Sequence, residues 1–472
     1  MAILTAVICS IIFTCLSYFL VKTYQLNSYD IKKYITSVLD FNFSLGDKNK
    51  LVFTKRIIRF FIGVFIVSFL IFFVINYFIK SVFAIILTYA VFLLLSPFFV
   101  VFTHFLLLPI EILIKKCYMK KAKRKLEKLK IIKIGITGSY GKTSTKNILC
   151  AMLEKEYKVC VTPKNYNTEM GLTKTILENL DDHDVFIAEM GARHKGDIEV
   201  LAKLVKPNYG ILTTIGMQHL ETFKNLQTIE ETKNELVLNL EENGIMVFNG
   251  DSISTKKLYA KCTCEKYLAC DKSGFSYADN INFDKNGSQF VLHIDGQTIE
   301  LKTKLLGRCN INNIVTASTL AYLLGITKED IVSAVQALSP TPHRLEIIKS
   351  ENLTIIDDSY NSNLIGASEA LNVLSKFSGN KIVVSPGFVE MGREQSQANF
   401  KLGGLIADVA DYFVIMNDTN KNELLSGAIA HGFDRKKIFF ASSRKKQKEV
   451  LSLLTSHGCV ILFENDLPDN YK

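Results

Sequence analysis

The sequence is poor in features that mark several protein classes. Its ten cysteines are scattered over 472 residues, which excludes a small secreted scaffold stapled by disulfides. Cys262, Cys264 and Cys270 form the only cluster. They lack the fourth ligand and the spacing of a zinc site, so the cysteines read as free thiols of a reducing compartment. There is no internal repeat and no low-complexity linker. No basic stretch precedes the first apolar run and no small-residue cleavage pattern follows it, which argues against a cleaved signal peptide. A hydrophobic content of 48% excludes intrinsic disorder. Acidic residues are scarce at the start: residues 1–130 hold 5 Asp and Glu against 18 Lys and Arg, and the remainder holds 41 against 38. The net charge of +10 is therefore a property of one segment. A nucleic-acid binder would spread its basic residues over a folded face, so no nucleic-acid partner is expected.

The same segment holds the long apolar runs. Ala2–Val21 carries no charge, and Ile57–Ile79 and Ser81–Ile114 follow it. A hydrocarbon core takes about 20 apolar residues per helix. The expectation is about three N-terminal transmembrane helices, with a basic juxtamembrane segment completing a domain over residues 1–130. Ser81–Ile114 is long enough for one tilted helix running into an interfacial helix near Pro109, or for a re-entrant pair. The Lys and Arg bias of the loops places Lys22–Arg56 and everything after Lys115 inside. That predicts a multi-pass protein of the cell (inner) membrane with cytoplasmic catalytic domains. Lys115–Lys130 would lie against membrane lipids.

After Lys130 short β-branched runs alternate with helical stretches, the pattern of an α/β fold with a largely parallel sheet. Residues 131–340 read as a central P-loop ATPase domain, with 258–305 as a small antiparallel insertion. Residues 341–472 read as a Rossmann-like C-terminal domain.

The sharpest chemical signal is IGITGSYGKTST, Ile134–Thr145. An apolar strand runs into Gly138, Ser139, Tyr140 and Gly141, and a helix follows. Glycines let backbone N–H groups approach phosphate oxygens, and the helix N-terminus adds positive potential. Lys142 would reach the outer phosphates and the Thr143 hydroxyl would hold Mg²⁺. Glu189 closes the apolar run VFIAE, where a carboxylate is placed to anchor Mg²⁺. His219 follows another strand. Lys233 has no signal of its own and reads as a surface helix lysine.

These segments come in a recognisable order. They are Thr137–Thr143, Asn165–Gly171, Glu189–Ala192, Gly216–Glu221, Thr232–Glu235, Asn249–Asp251, Gly307–Asn313, Arg344 with Glu346, and Asp357–Asn363. Together they resemble the Mur ligase family. The resemblance implies an ATP-dependent amide ligase that converts a carboxylate to an acyl phosphate and passes it to an amine. By position it implies that Gly138, Ser139, Gly141, Lys142, Thr143 and Ser144 bind the nucleotide phosphates. It assigns Mg²⁺ to Thr143, Glu189 and His219 in two sites, and a carbamylated side chain to Lys233. It assigns adenine, phosphate and ribose to Asn310, Arg344 and Asp358. Asn165, Asn167, Thr168, Tyr360 and Asn361 would face the substrate. The partners implied are a carboxylate-bearing precursor of cell-wall or peptidoglycan type and an amino acid or peptide amine.

The sequence also departs from the family. A membrane segment is expected where the family recognises UDP. Cys309, His343 and Leu364 stand where the family has His, Gly and Pro. Pro386–Gly392 follows Gly-Asp-Met-x-Glu-Leu-Gly only loosely, and Leu462–Asn470 lacks the expected Lys-Gly-Ser-Arg. Two other readings stand beside the ligase: a membrane-bound polymer synthase of poly-γ-glutamate type, and a non-catalytic cell-wall scaffold.

Overall fold

A computed structural model describes residues 2–27, 29–40, 50–79, 81–164, 166–349, 353–360, 362–455 and 459–467. The chain forms two compact units, Met1–Tyr118 and Met119–Lys472.

The first unit is helical. Ala2–Leu16 and Tyr18–Leu26 meet at a 41° bend. Among the described residues, only Lys55–Phe78 and Ser96–Lys128 are singly long and apolar enough to cross a membrane, and the bent pair makes a third only if counted as one span. The expected third span, Ser81–Ile114, is broken into Val82–Leu94 and the start of Ser96–Lys128. The break precedes Pro97 instead of Pro109. Proline suits a first helical turn, where its missing N–H has no partner to lose. Inside this unit Arg59 makes a bidentate ion pair with Glu111, at 2.7 and 2.8 Å. Gly63 lets two helices close up, since a Cβ there would lie 2.9 Å from Leu107.

The second unit starts earlier than residue 131, because Ala122 and Leu126 are buried in its core. Its larger sheet has nine strands. They are β1 (Ile132–Thr137), β2 (Val159–Val161), β3 (Val185–Glu189), β4 (Tyr209–Leu212), β5 (Ile245–Asn249), β6 (Glu265–Ala269), β7 (Ser276–Asp284), β8 (Gly287–Ile294) and β9 (Gln297–Thr303). The order is β2-β3-β1-β4-β5-β6-β7-β8-β9. Strands β1 to β6 pair in parallel and β7 to β9 are antiparallel. The stretch expected as an insertion is thus an extension of the same sheet, joined at Ala269 and Ser276. Buried Ile, Val and Leu from the strands feed two cores, one on each face.

The smaller sheet has β10 (Glu346–Lys349), β11 (Leu353–Asp358), β12 (Lys381–Ser385), β13 (Tyr412–Met416), β14 (Ile438–Ala441) and β15 (Cys459–Glu464). Its order is β10-β11-β15-β12-β13-β14, parallel except for β10. The chain returns after β14 to insert β15 between β11 and β12. That places the carboxyl ends of β11 and β15 side by side, with Asp358 opposite Glu464.

Two strand glycines let neighbouring side chains pack directly on the larger sheet. A Cβ at Gly135 would lie 2.8 Å from Leu236, and one at Gly210 would lie 2.1 Å from the Met246 sulfur. Gly135 lets the helix Leu226–Leu238, which carries Lys233, lie directly on β1.

Candidate functional site

The loop after β1 is fixed from below. Ser139 and Tyr140 donate their N–H groups to the Thr214 carbonyl, at 2.9 and 3.2 Å. The Ser139 hydroxyl donates to Gly216 O at 2.9 Å, the Tyr140 hydroxyl to Met217 O at 2.7 Å, and Thr213 Oγ1 to Tyr140 O at 2.7 Å. Gly138, at φ +150°, has no room for a side chain, since a Cβ would meet Thr213 Oγ1 at 1.9 Å. Gly141 takes φ +79° and opens the helix Lys142–Leu153 without a side-chain cap. The first turn of that helix, with Thr143 and Ser144, therefore presents N–H groups suited to an anion.

Lys142 folds back over this loop, donating to Gly138 O and Ser139 O at 2.8 Å each. Burial pushes its amine down to about 8, against the pull of Glu189 and together with the repulsion of Arg344. Lys233, on the buried face of its helix, is pushed down to about 7 by burial first and by Lys142 second, against Asp197 and Glu235. Lys233 is therefore a buried member of the site and no surface lysine. The two lysines, Glu189 and Arg344 share one electrostatic neighbourhood although they come from four segments.

Unfolding would return Lys233 to the ordinary lysine value of about 10.4. Between pH 7 and that value the unfolded chain binds more protons than the folded one. Stability must then rise as pH rises through this window, and Lys142 adds a contribution of the same sign. We expect Lys233→Met to raise the melting temperature most near pH 6–7, with the gain shrinking towards pH 10. Melting curves in CO₂-free buffer check this; an equal gain at every pH would contradict it.

Glu189 ends β3 and is almost fully buried. Asn167 Nδ2 donates to its Oε1 at 3.1 Å, and Lys146 Nζ lies 3.2 Å from its Oε2. Lys146 was not legible as a site residue. It sits one helical turn after Lys142 on the buried side and donates to Thr162 O and Lys164 O at 2.7 and 2.9 Å. Removing one partner of a buried ion pair costs about 3–5 kcal/mol. Lys146→Met should therefore destabilise the protein by about that much, read from denaturant unfolding, while Lys158→Met at an exposed pair should change little.

His219 lies at φ +53° and its Nδ1 is 2.7 Å from Glu390 Oε2, a partner from the C-terminal domain that the loosely matching Pro386–Gly392 concealed. The donor set fits a hard cation. Glu189 Oε2 is buried and accepts no hydrogen bond among the described residues, although the Lys146 ammonium lies 3.2 Å away and would share it with a cation. The Thr143 hydroxyl and the His219 imidazole are donor types that could join a carboxylate on Mg²⁺ with water filling the rest.

The remaining candidates divide. Ser144, Asn310 and Arg344 line one cleft with Asn147 and Thr341. Arg344 stacks on Tyr360, its guanidinium 4.4 Å from the ring centroid. Asp358 accepts the Leu345 N–H at 3.1 Å, and burial raises its carboxyl to about 6. Glu464 pairs with Asp358 across β11 and β15 and is raised well above the usual carboxylate range, by burial first and by Asp358 second. The Ser362 hydroxyl donates to Glu464. Thr168 caps the helix Glu169–Asn179 by accepting the Gly171 N–H. His343 takes φ +63° in place of the family glycine and contacts Asp357 at 2.8 Å. Cys309 is a half-buried thiol whose pKa is pushed up to about 12 by desolvation. Asn165 and Asn361 lie outside the described residues.

Residues 136–321 match the Mur ligase middle domain and residues 343–463 match the Mur ligase glutamate ligase domain. A UDP-N-acetylmuramoyl-tripeptide–D-alanyl-D-alanine ligase of Buchnera aphidicola is 34% identical over 263 residues, 55% of this chain and 57% of that protein. The Bacillus subtilis enzyme of the same name is 28% identical over 346 residues, 73% of this chain and 75% of that protein. The chain thus spans little more than half of one relative and three quarters of the other. The MurF ligase of Thermotoga maritima in complex with ADP superimposes with a TM-score of 0.68 at 25% identity, covering 75% of this chain and 80% of that one. A pseudomurein peptide ligase type C from Methanothermus fervidus shares the fold, with a TM-score of 0.57 at 19% identity over 71% of this chain and 76% of that one.

These findings overturn the expected localisation. The multi-pass placement in the cell (inner) membrane is contradicted by the MurF ligases that the chain matches; among the described residues two helices qualify singly as spans, and the bent pair adds a third only if counted as one.

Proposed function

Because this chain belongs to the Mur ligase family, whose members are ATP-dependent C–N ligases, we propose that it joins a peptidoglycan-type carboxylate precursor to an amine through an acyl phosphate. The observation that carries this reading is the loop after β1, where Lys142 folds back over Gly138 and Ser139 at a helix N-terminus that no side chain caps. Such a pocket favours an anion strongly, and it is held open by glycines that tolerate no side chain.

In the proposed reaction a substrate carboxylate oxygen bonds to the γ-phosphorus of ATP while the β–γ bridging bond breaks, releasing ADP. The amine nitrogen then bonds to the acyl carbon, loses a proton and expels phosphate through a tetrahedral intermediate. Lys142 and the first turn of its helix hold the phosphoryl group in line and offset its charge. Mg²⁺ bound by Thr143 and Glu189, with a second ion by His219, would neutralise the two anionic reactants. Lys233, as a carbamate, would turn a cation into a carboxylate beside that second ion. Arg344, Asn310 and Asp358 would hold the phosphate, adenine and ribose, and Asn167, Thr168 and Tyr360 would face the substrate. By analogy with the named relatives, the precursor is a UDP-linked muramoyl peptide and the amine a D-alanyl-D-alanine type dipeptide.

The test is hydroxylamine trapping on the full chain with Mg-ATP. A UDP-muramoyl tripeptide should yield a hydroxamate and stoichiometric ADP. ADP release without hydroxamate from any cell-wall carboxylate would overturn the acyl-phosphate reading. Chain growth from free glutamate would instead show the polymer synthase.

A further inference from the structure

Glu390 belongs to the C-terminal domain, in the segment that follows β12, yet its carboxylate meets His219 of the central domain across 171 residues of sequence. We infer that Glu390 is a positioning residue that orients His219 and makes the second cation position conditional on the docking of the two domains. The inference rests on the assignment of His219 as a cation ligand in the proposed function.

Three observations carry it. The contact is short, 2.7 Å between His219 Nδ1 and Glu390 Oε2, with only 21% and 18% of the two side chains exposed. An ionised carboxylate can only accept, so it holds the proton on Nδ1 and leaves the Nε2 lone pair for a metal. A second bond ties the same two segments, Glu221 N–H donating to Glu390 O at 3.3 Å. Both partners are held at positive φ, +53° for His219 and +62° for Glu390, a conformation non-glycine residues take only when their surroundings impose it. Gly392, at φ +55°, backs onto Leu220 and Glu221 and completes the junction. A carboxylate behind a metal-binding histidine fixes ring and tautomer, and its loss typically weakens metal affinity by about 10–100-fold. Here that carboxylate arrives from another domain, so undocking would unmake the ligand as well as open the cleft.

The probe is Mn²⁺, titrated into the full chain without ATP and followed by electron paramagnetic resonance. Glu390→Ala should weaken binding at one of the sites by about 10–100-fold. Glu390→Gln, which keeps an acceptor oxygen, should lose less. His219→Asn should lose the same site, and Glu394→Ala nearby should change nothing. Nitrogen-15 spectra of His219 in the Glu390→Ala protein should show a mixture of tautomers in place of one. Wild-type Mn²⁺ affinity in Glu390→Ala with loss in His219→Asn would overturn the inference and leave the proposed function standing. No loss in either variant would remove His219 from the metal site and the inference with it. Unchanged far-ultraviolet dichroism establishes that each variant is folded.

Discussion

Lys142→Ala is expected to cut ATP-dependent ligation by about 10²–10³-fold, roughly 3–4 kcal/mol of barrier. Among the described residues the side chain donates its hydrogen bonds to the Gly138 and Ser139 carbonyls of its own loop, so the folded structure should lose little when it is removed. Its amine is already desolvated, and burial has lowered it to about 8. The cost of dehydrating the cation is met on folding, so its attraction for phosphate is not spent on shedding water during the reaction. Removing it should therefore lower kcat far more than it raises KM. Steady-state ADP release and the melting temperature, measured together, distinguish this from unfolding: activity should fall while Tm holds or rises. If catalysis persisted within a few-fold of wild type, the phosphate loop would not be the centre of the reaction, and a scaffold role would be favoured.

The second large effect concerns Lys233 and carbon dioxide. An ordinary lysine near 10.4 is neutral in roughly one molecule in 2,500 at pH 7. Lys233, lowered to about 7, is neutral in about half. The neutral amine is the form that adds CO₂, so burial raises the fraction of Lys233 able to become a carbamate. Enzyme prepared in CO₂-free buffer should lose most of its activity and regain it on addition of bicarbonate. Lys233→Ala should lose about 10–100-fold, the range for a group that fixes a metal, and should not respond to bicarbonate. Activity indifferent to CO₂ in the wild type would remove the carbamate from the mechanism while leaving Lys233 in the site.

Much of this site was legible because its chemistry depends on local sequence. Gly138, Gly141 and Lys142 announce themselves through a strand, a glycine-rich turn and a helix start, all within eleven residues. Glu189 was legible for the same reason, as a charge ending an apolar strand. Lys146 and Glu390 were not, because their roles are made by partners distant in the chain. Lys146 lies opposite Glu189 only once β1 and β3 pair, and Glu390 meets His219 only when two domains dock. The polar neighbours of Lys233 carry no signal and only the family resemblance singled it out, since the glycine in β1 that draws its helix inward lies about a hundred residues away. The alternation of strands and helices foretold the parallel sheets. The antiparallel strands β7 to β9 were recognised but not their continuity with the main sheet, which depends on a single pairing at Ala269 and Ser276. In the N-terminal unit apolar content was plain, while the position of the break was decided by Pro97 against Pro109, a matter of where each proline falls in its helix.

The way the two sheets end has a consequence for survival in a crowded solution. Open sheets invite other chains to add strands at their margins. Here β2 offers three residues, β10 and β14 four each, and β9 alternates buried positions with exposed Glu300 and Lys302. Short margins give an incoming strand too few bonds to hold, and charged ones repel it. A chain with almost half its residues hydrophobic is thus guarded against templated aggregation at four places. Lengthening one of those strands by a few β-branched residues would be a more damaging change than adding the same residues to its loops.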